Sequence, residues 1–336
     1  MTTPGLKEEY HALRAGAGLL DHSDRVRLRI TGAERAKFLQ GILTNDTALL
    51  SPGRGLYGAV LTAKGKMQAD LTAYALPEWF WVDSEPELAA KLPALLSRYT
   101  IGSDAAVADI SSTHGLLGLY GPEAPRTLGV AFPGLAVPTT DLAVTETTWN
   151  GHQLVIAEAG YPGTPGYKVL VPAGALEVAR QALVAAGATA VGAEALDAVR
   201  IESGVPRFGA DMSEENFPPE ARIEARAVSY TKGCYMGQET IARIKTYGHV
   251  NRLLVGLLPE TDQPIPHGTK LYHPDVTSVL RENKEAGYVT SSVYSPALKR
   301  IIALGYVNRK VEAPGTIVTI GQDAAVHATV TALPFV

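Results

Sequence analysis

EAGYVTSSVYSPALKRIIALGYV, residues 285–307, is a pair of apolar or alternating runs separated by a proline-marked turn. Alternation at period two between Gly and Pro turns signals paired β-strands, because successive side chains on a strand point to opposite faces. The same grammar holds from about Leu253 onward, in RLLVGLL (252–258), GTKLYH (268–273), GTIVTI (315–320) and AAVHATVTAL (324–333). About six short strands with no helical pattern between them form an all-β module, most naturally a small closed barrel. The boundary falls near Tyr247 to Asn251, so residues 249–336 are assigned to the barrel and residues 1–248 to a different architecture.

Upstream, strand and helix patterns mix. Leu6 to Gly18 reads as a helix, and RVRLRIT (25–31) alternates with Val26, Leu28 and Ile30 on one face and three arginines on the other. Thr31 and Glu34 fit a capping box ahead of Phe38 and Leu39. LYGAVLTA (56–63) and MQADLTAYAL (67–76) form a hairpin across Ala63–Lys66, with Gly65 supplying the positive φ. WFWVD (79–83) is a strand, and Ser84 caps a helix carrying Leu88, Leu92, Leu95, Leu96 and Tyr99. The layout recurs loosely: a strand at GLLGLYG (115–121), a helix after Pro122, a hairpin turning at Asn150-Gly151 and a helix over Ala173 to Ala186. Two β/α halves, roughly 1–110 and 111–248, are expected, and the fold class is α+β.

Composition narrows the function. Lys and Arg number 30 against 34 Asp and Glu, so no global positive field exists to collect nucleic acid, and direct nucleic-acid binding is not expected. The longest apolar stretch, 174–199, is broken by Glu177, Arg180, Gln181 and Glu194, so no membrane span is expected. A single cysteine and an N-terminal stretch without a basic region followed by an apolar one point to the cytoplasm. Arg14-Ala-Gly-Ala-Gly18 lacks the third glycine of a dinucleotide fingerprint, Gly65-Lys66 lacks the phosphate-loop spacing, and no histidines stand at the i, i+4 spacing of a helical metal pair. No metal site is expected.

Three residues stand out chemically. Cys234 lies in KGCYMGQETIAR (232–243), two residues after Lys232 and just before a helical pattern. A cation and the backbone N–H groups around Gly237 and Gln238 would favour thiolate, while a small buried hydrophobe on a tight turn is the alternative. Glu202, in ALDAVRIESGVPRFGADM (195–212), sits in the last turn of a helix, where a carboxylate opposes the dipole. It either has a partner elsewhere or is exposed beside Arg200 or Arg207. Asp70 shares a strand face with Gln68 and Thr72, which is either solvated or directed to a ligand.

Together these segments, with GLLDHSDRVRLRITGAERAKFLQGILTND (18–46), LTAKGKMQADL (61–71), AGYPGTPGYKVLV (159–171) and SSVYSPALKRIIALGYV (291–307), resemble the YgfZ family, folate-binding relatives of the glycine-cleavage T-protein (aminomethyltransferase). The resemblance implies a T-protein-like fold, with mixed α/β subdomains around a central folate cavity and a C-terminal β-barrel. It implies tetrahydrofolate or a one-carbon-substituted folate as cofactor. Glu202 matches the pterin-holding carboxylate, Asp70 falls near the folate's reactive nitrogens, and Tyr161, Lys232 and Gln238 complete the expected binding set, with Cys234 as the functional thiol. T-proteins carry an acidic residue after Tyr-Thr-Gly, where this chain has Thr164 after Tyr161-Pro-Gly163. The resemblance therefore implies an accessory protein for assembly or repair of iron–sulfur client enzymes, including those that modify tRNA. A folate-dependent one-carbon transferase is the alternative.

Overall fold

The structure, a computed structural model, describes residues 4–273, 285–321 and 326–336. Its frame is two β-sheets and a closed barrel. The first sheet has five strands in the spatial order Gly55–Leu61, Met67–Ala75, Phe80–Ser84, Val26–Thr31 and Ala106–Asp109. Its central hairpin forms where alternation places it, and Gly65 takes φ +80 in the turn. The second sheet orders Thr189–Ala190, Gly18–Asp21, His114–Tyr120, Gly166–Pro172, His152–Glu158 and Val144–Trp149. Asn150 and Gly151, both at positive φ, make the tight turn of its outer hairpin.

The chain does not fill these sheets half by half. Gly18–Asp21 crosses to pair with His114–Tyr120 in the second sheet. Conversely Phe208, Met212, Ala221, Ile223, Tyr235 and Ile241 return to pack against the first sheet. A shared apolar seam, including Tyr74, Trp81, Leu116, Leu142 and Leu170, joins the two. Each half therefore closes the core of the other.

Three local readings are corrected by the packing. The helix over 35–40 starts at Arg35 with no side-chain cap, because Glu34 accepts from the Asp104 backbone N–H and Thr31 stays in its strand. Ser84 ends a strand and donates to the Asp70 carbonyl, and the helix beyond it, Leu92–Arg98, begins only after a short 3₁₀ turn at Pro86–Leu88. Arg27 is buried, not solvated. Its guanidinium donates to the carbonyls of Arg25, Ser23 and Ser111 and so pegs the loop that enters the strand.

The barrel closes in the order Arg252–Pro259, Arg300–Asn308, Glu285–Ser295, Lys270–Tyr272, Ile317–Ile320 and Val326–Thr331. Ala324 and Ala325, which open the last expected run, lie outside the described residues. Helix Ala193–Glu202 is buried along most of its length and stands between the N-terminal helix Pro4–Ala15 and the barrel. Among the described residues no helix is long and apolar enough to cross a membrane.

Candidate active site

A cavity of about 410 Å³ lies between the two sheets, floored by the strand ends and closed on one side by Leu333 and Pro334 from the C-terminal tail. That volume suits a small-molecule site. Asp70 reaches it from the middle of strand Met67–Ala75, and Thr72 on the same face lines it too, whereas Gln68 does not and donates to the Leu61 carbonyl. The Asp70 Oδ2 atom accepts from the Tyr57 hydroxyl at 2.8 Å, whereas its buried Oδ1 has no hydrogen-bond partner. Burial, followed by the charge of Glu85, raises its pKa to about 6. A buried carboxylate oxygen without a donor is costly, so this atom marks a place where a ligand N–H or a proton belongs.

The other charges in the cavity neutralise one another. Arg25 donates to both oxygens of Asp83 at 2.9 and 2.8 Å and to Glu85 at 2.6 Å, and Lys168 reaches Asp83 at 2.5 Å. Burial alone would raise Asp83, yet the two cations hold its pKa far below the usual carboxylate range. Burial lowers the pKa of Lys168, with Arg25 adding to the effect. His22 meets the Tyr120 hydroxyl at 2.9 Å and is pushed down to about 3 by burial and then by Arg25, so it stays neutral near pH 7. Tyr161 stacks on Tyr120 with ring centroids 5.9 Å apart, giving the cavity a flat aromatic wall, and burial pushes its hydroxyl up to about 12. Arg222 and Arg226 line the cavity with side chains exposed to solvent.

Of the six residues expected to form the site, Asp70 and Tyr161 line this cavity and four do not. Glu202 is fully buried beside it, and its oxygens are already taken: Oε2 by the Tyr10 hydroxyl at 2.7 Å and by Arg14, Oε1 by the Ser295 hydroxyl at 2.5 Å. The carboxylate at the helix end does have partners elsewhere, but they are structural, tying the N-terminal helix to the barrel. A pterin donor pair has no free oxygen to meet there. Its neighbours Ser203–Pro206 form part of the cavity wall instead.

Lys232 is buried, and its ammonium donates to the carbonyls of Gln40, Leu43 and Asn45 at 2.7–2.8 Å. All three donors are consumed, so it is available neither to a folate nor to the thiol. Burial lowers its pKa to about 8. Cys234 is exposed and does not face the cavity. Gln238 opens helix Gln238–Tyr247 away from it. The glycine of this motif has a packing reason: Gly237, at φ +82, lies so close to the Thr62 carbonyl that an added Cβ would sit 2.5 Å from it. The motif is thus an anchor that fastens the last helix of this region to the hairpin turn at 62–65.

Sequence reasoning missed Arg25, Asp83, Glu85, Lys168 and His22. Their one signal was alternation. Asp83 follows Trp81 on one strand face, and Arg25 begins RVRLRIT, but alternation does not tell a wet face from a polar cavity.

The geometry can be set beside known proteins. A family model described as the GCVT N-terminal domain matches residues 2–232, and one described as the glycine cleavage T-protein C-terminal barrel domain matches residues 252–336. The aminomethyltransferase of Rubrobacter xylanophilus is 34% identical over 334 residues, covering 98% of this chain and 86% of its own. That of Herpetosiphon aurantiacus is 30% identical, with 98% and 90% covered. The crystal structure of glycine cleavage system aminomethyltransferase T from Bartonella henselae superimposes with a TM-score of 0.88 at 28% identity, over 100% of this chain and 91% of that one. These findings overturn the expected role as an accessory to iron–sulfur enzymes, since relatives aligned over nearly the full chain are named for aminomethyl transfer and none of them as YgfZ.

Proposed function

The chain belongs to the glycine-cleavage T-protein family, and from that premise we propose that it is a folate-dependent one-carbon transferase that moves an aminomethyl carbon to tetrahydrofolate. The observation that carries this reading is the unpartnered, buried Oδ1 of Asp70 in a cavity of ligand size. Tetrahydrofolate fits the residues present. Tyr161 and Tyr120 offer a flat face, Leu142 and Leu333 an apolar wall, and exposed Arg222 and Arg226 suit the carboxylates of a glutamate tail. Within the family, KGCYMGQE (232–239) supports placing the chain in the YgfZ branch.

Bound tetrahydrofolate would supply the ring nitrogens that accept the carbon. Asp70 does the proton work. With a pKa near 6 it is mostly ionised at pH 7, yet close enough to neutrality to take up or return a proton at Oδ1. Tyr57 fixes the carboxyl's orientation through Oδ2, leaving Oδ1 without a protein donor. The C-terminal tail, held by the Phe335 N–H on the Glu202 carbonyl at 2.8 Å, keeps Leu333 over the cavity and helps exclude water.

The test is turnover of an aminomethyl donor with tetrahydrofolate by the purified protein. Asp70→Asn should lower the rate about 100-fold or more, the usual contribution of a positioned acid or base. Absence of turnover by the native chain with every supplied aminomethyl donor would overturn the proposal.

A further inference from the structure

Strand register brings a second carboxylate against Asp70. Thr72 is paired with Asp83, and Asp83 with Arg27. Continuing both ladders by two residues sets Asp70, Glu85 and Arg25 in one row at the end of the sheet, on the face that lines the cavity. The Ser84 hydroxyl, donating to the Asp70 carbonyl at 2.6 Å, ties this end together, and Glu85 keeps extended backbone angles past the last ladder pair. Like charges directly opposite across two strands repel, and a fold tolerates them only where something holds them. Here Arg25 does so, gripping Glu85 at 2.6 Å while its other nitrogens hold Asp83.

Resting on the transferase reading, we propose that Glu85 is a positioning residue for the Asp70 carboxyl: it stands in the same row on the neighbouring strand, and Arg25 fixes its negative charge beside Asp70. Other titratable or charged groups line the same cavity from each packed element. Tyr57 comes from the adjacent strand, Asp83 from the strand on the other side, and His22, Tyr161 and Lys168 from the second sheet. Arg222 and Arg226 come from the segment 221–226. Tyr57 and Arg25 favour the ionised form, and burial and Glu85 oppose it. Asp83 and Lys168 are joined to each other and largely cancel. Glu85 is the charged neighbour that pushes Asp70 upward most.

The experiment compares the native protein with Glu85→Gln and Glu85→Asp. The amide of Glu85→Gln can still accept from Arg25 but has no charge, whereas Glu85→Asp restores the charge. Aspartate carboxyls are ¹³C-labelled and titrated by NMR in the ligand-free protein, with Asp70→Asn used to assign the signal. The pH profile of tetrahydrofolate-dependent turnover is measured in parallel. Glu85→Gln should move the Asp70 midpoint down by about one pH unit, the size of a single close charge, and Glu85→Asp should bring it back toward the native value. An unchanged midpoint in Glu85→Gln overturns the proposal. A midpoint that moves while the acid limb of the rate profile stays in place upholds the coupling but overturns Asp70 as the proton carrier.

Discussion

Replacing Asp70 by Asn should stabilise the protein, and by an amount that depends on pH. The side chains have the same shape, and the amide oxygen can still accept from the Tyr57 hydroxyl. What changes is the cost of ionising a buried carboxyl. Its pKa stands at about 6 in the fold against an ordinary value of 3.8, so the folded state binds its proton more tightly than the unfolded chain does. The associated stability is present in full below the unfolded pKa and is lost as pH rises through the folded one. The full loss is about 3 kcal/mol, from roughly two pKa units at 1.36 kcal/mol each. About half is already gone at pH 5, and the rest, roughly 1 to 2 kcal/mol, disappears between pH 5 and pH 8, with little change above pH 7. Urea unfolding of both proteins at pH 5, 6, 7 and 8 isolates this contribution, because every other titrating group is common to them. Asp70→Asn should gain on the native protein by roughly 1 to 2 kcal/mol more at pH 8 than at pH 5. A difference flat across this range would mean that Asp70 ionises in the fold as it does in water, and the reasoning that makes it the site's proton carrier would fail.

Glu202→Gln should destabilise the fold by about 3 kcal/mol in urea titration, because Arg14 and Tyr10 lose a buried carboxylate partner. A selective loss of tetrahydrofolate affinity with stability intact would return Glu202 to the binding set. Asp83→Asn should cost a similar amount, about 3 kcal/mol, by leaving Arg25 and Lys168 buried without their counter-charge. Since the Asp83 pKa is depressed, its stabilisation is full above the unfolded carboxylate pKa and is lost as pH falls through the folded one, so the gap between native and variant unfolding midpoints should begin to narrow below about pH 4 and close only in strong acid. Cys234→Ser should leave both turnover and tetrahydrofolate affinity as in the native protein, measured by steady-state rates and titration calorimetry, because the thiol is exposed outside the cavity.

The architecture was legible because its signals are local. A hairpin needs only alternation on two runs and a residue that accepts positive φ between them, and residues 55–75 and 144–158 carry both. The barrel was legible from six runs too short and too regular to be anything else. Of the residues expected in the site, Asp70 and Tyr161 line the cavity and the others do not. A polar strand face has one pattern whether it meets solvent or a walled cavity, so Gln68, Asp70 and Thr72 gave no hint of which was true. Arg25 and Arg27 looked equivalent in RVRLRIT, yet one serves the cavity and the other is a buried peg for its own loop. Lys232 and Glu202 misled for the same reason. Their partners, Gln40 and Leu43 in one case and Tyr10, Arg14 and Ser295 in the other, are distant in sequence.

Among the carboxyls that line the cavity, the ion pairs go to Asp83 and Glu85 and leave Asp70 without one. Two buried cations, Arg25 and Lys168, approach the cavity, and Asp83 receives both of them. Glu85 takes the remaining nitrogen of Arg25. Neither of these two cations is then left to pair with Asp70. Moving Lys168 from Asp83 to Asp70 would relieve that carboxyl, but it would return the Asp83 pKa upward and leave Arg25 between two half-satisfied acids. The Asp70 Oδ1 atom is therefore left without a protein donor in a residue that lines the cavity. Local stability is lost at the atom that needs to bind and exchange a proton, and the surrounding ion pairs confine the loss to that atom.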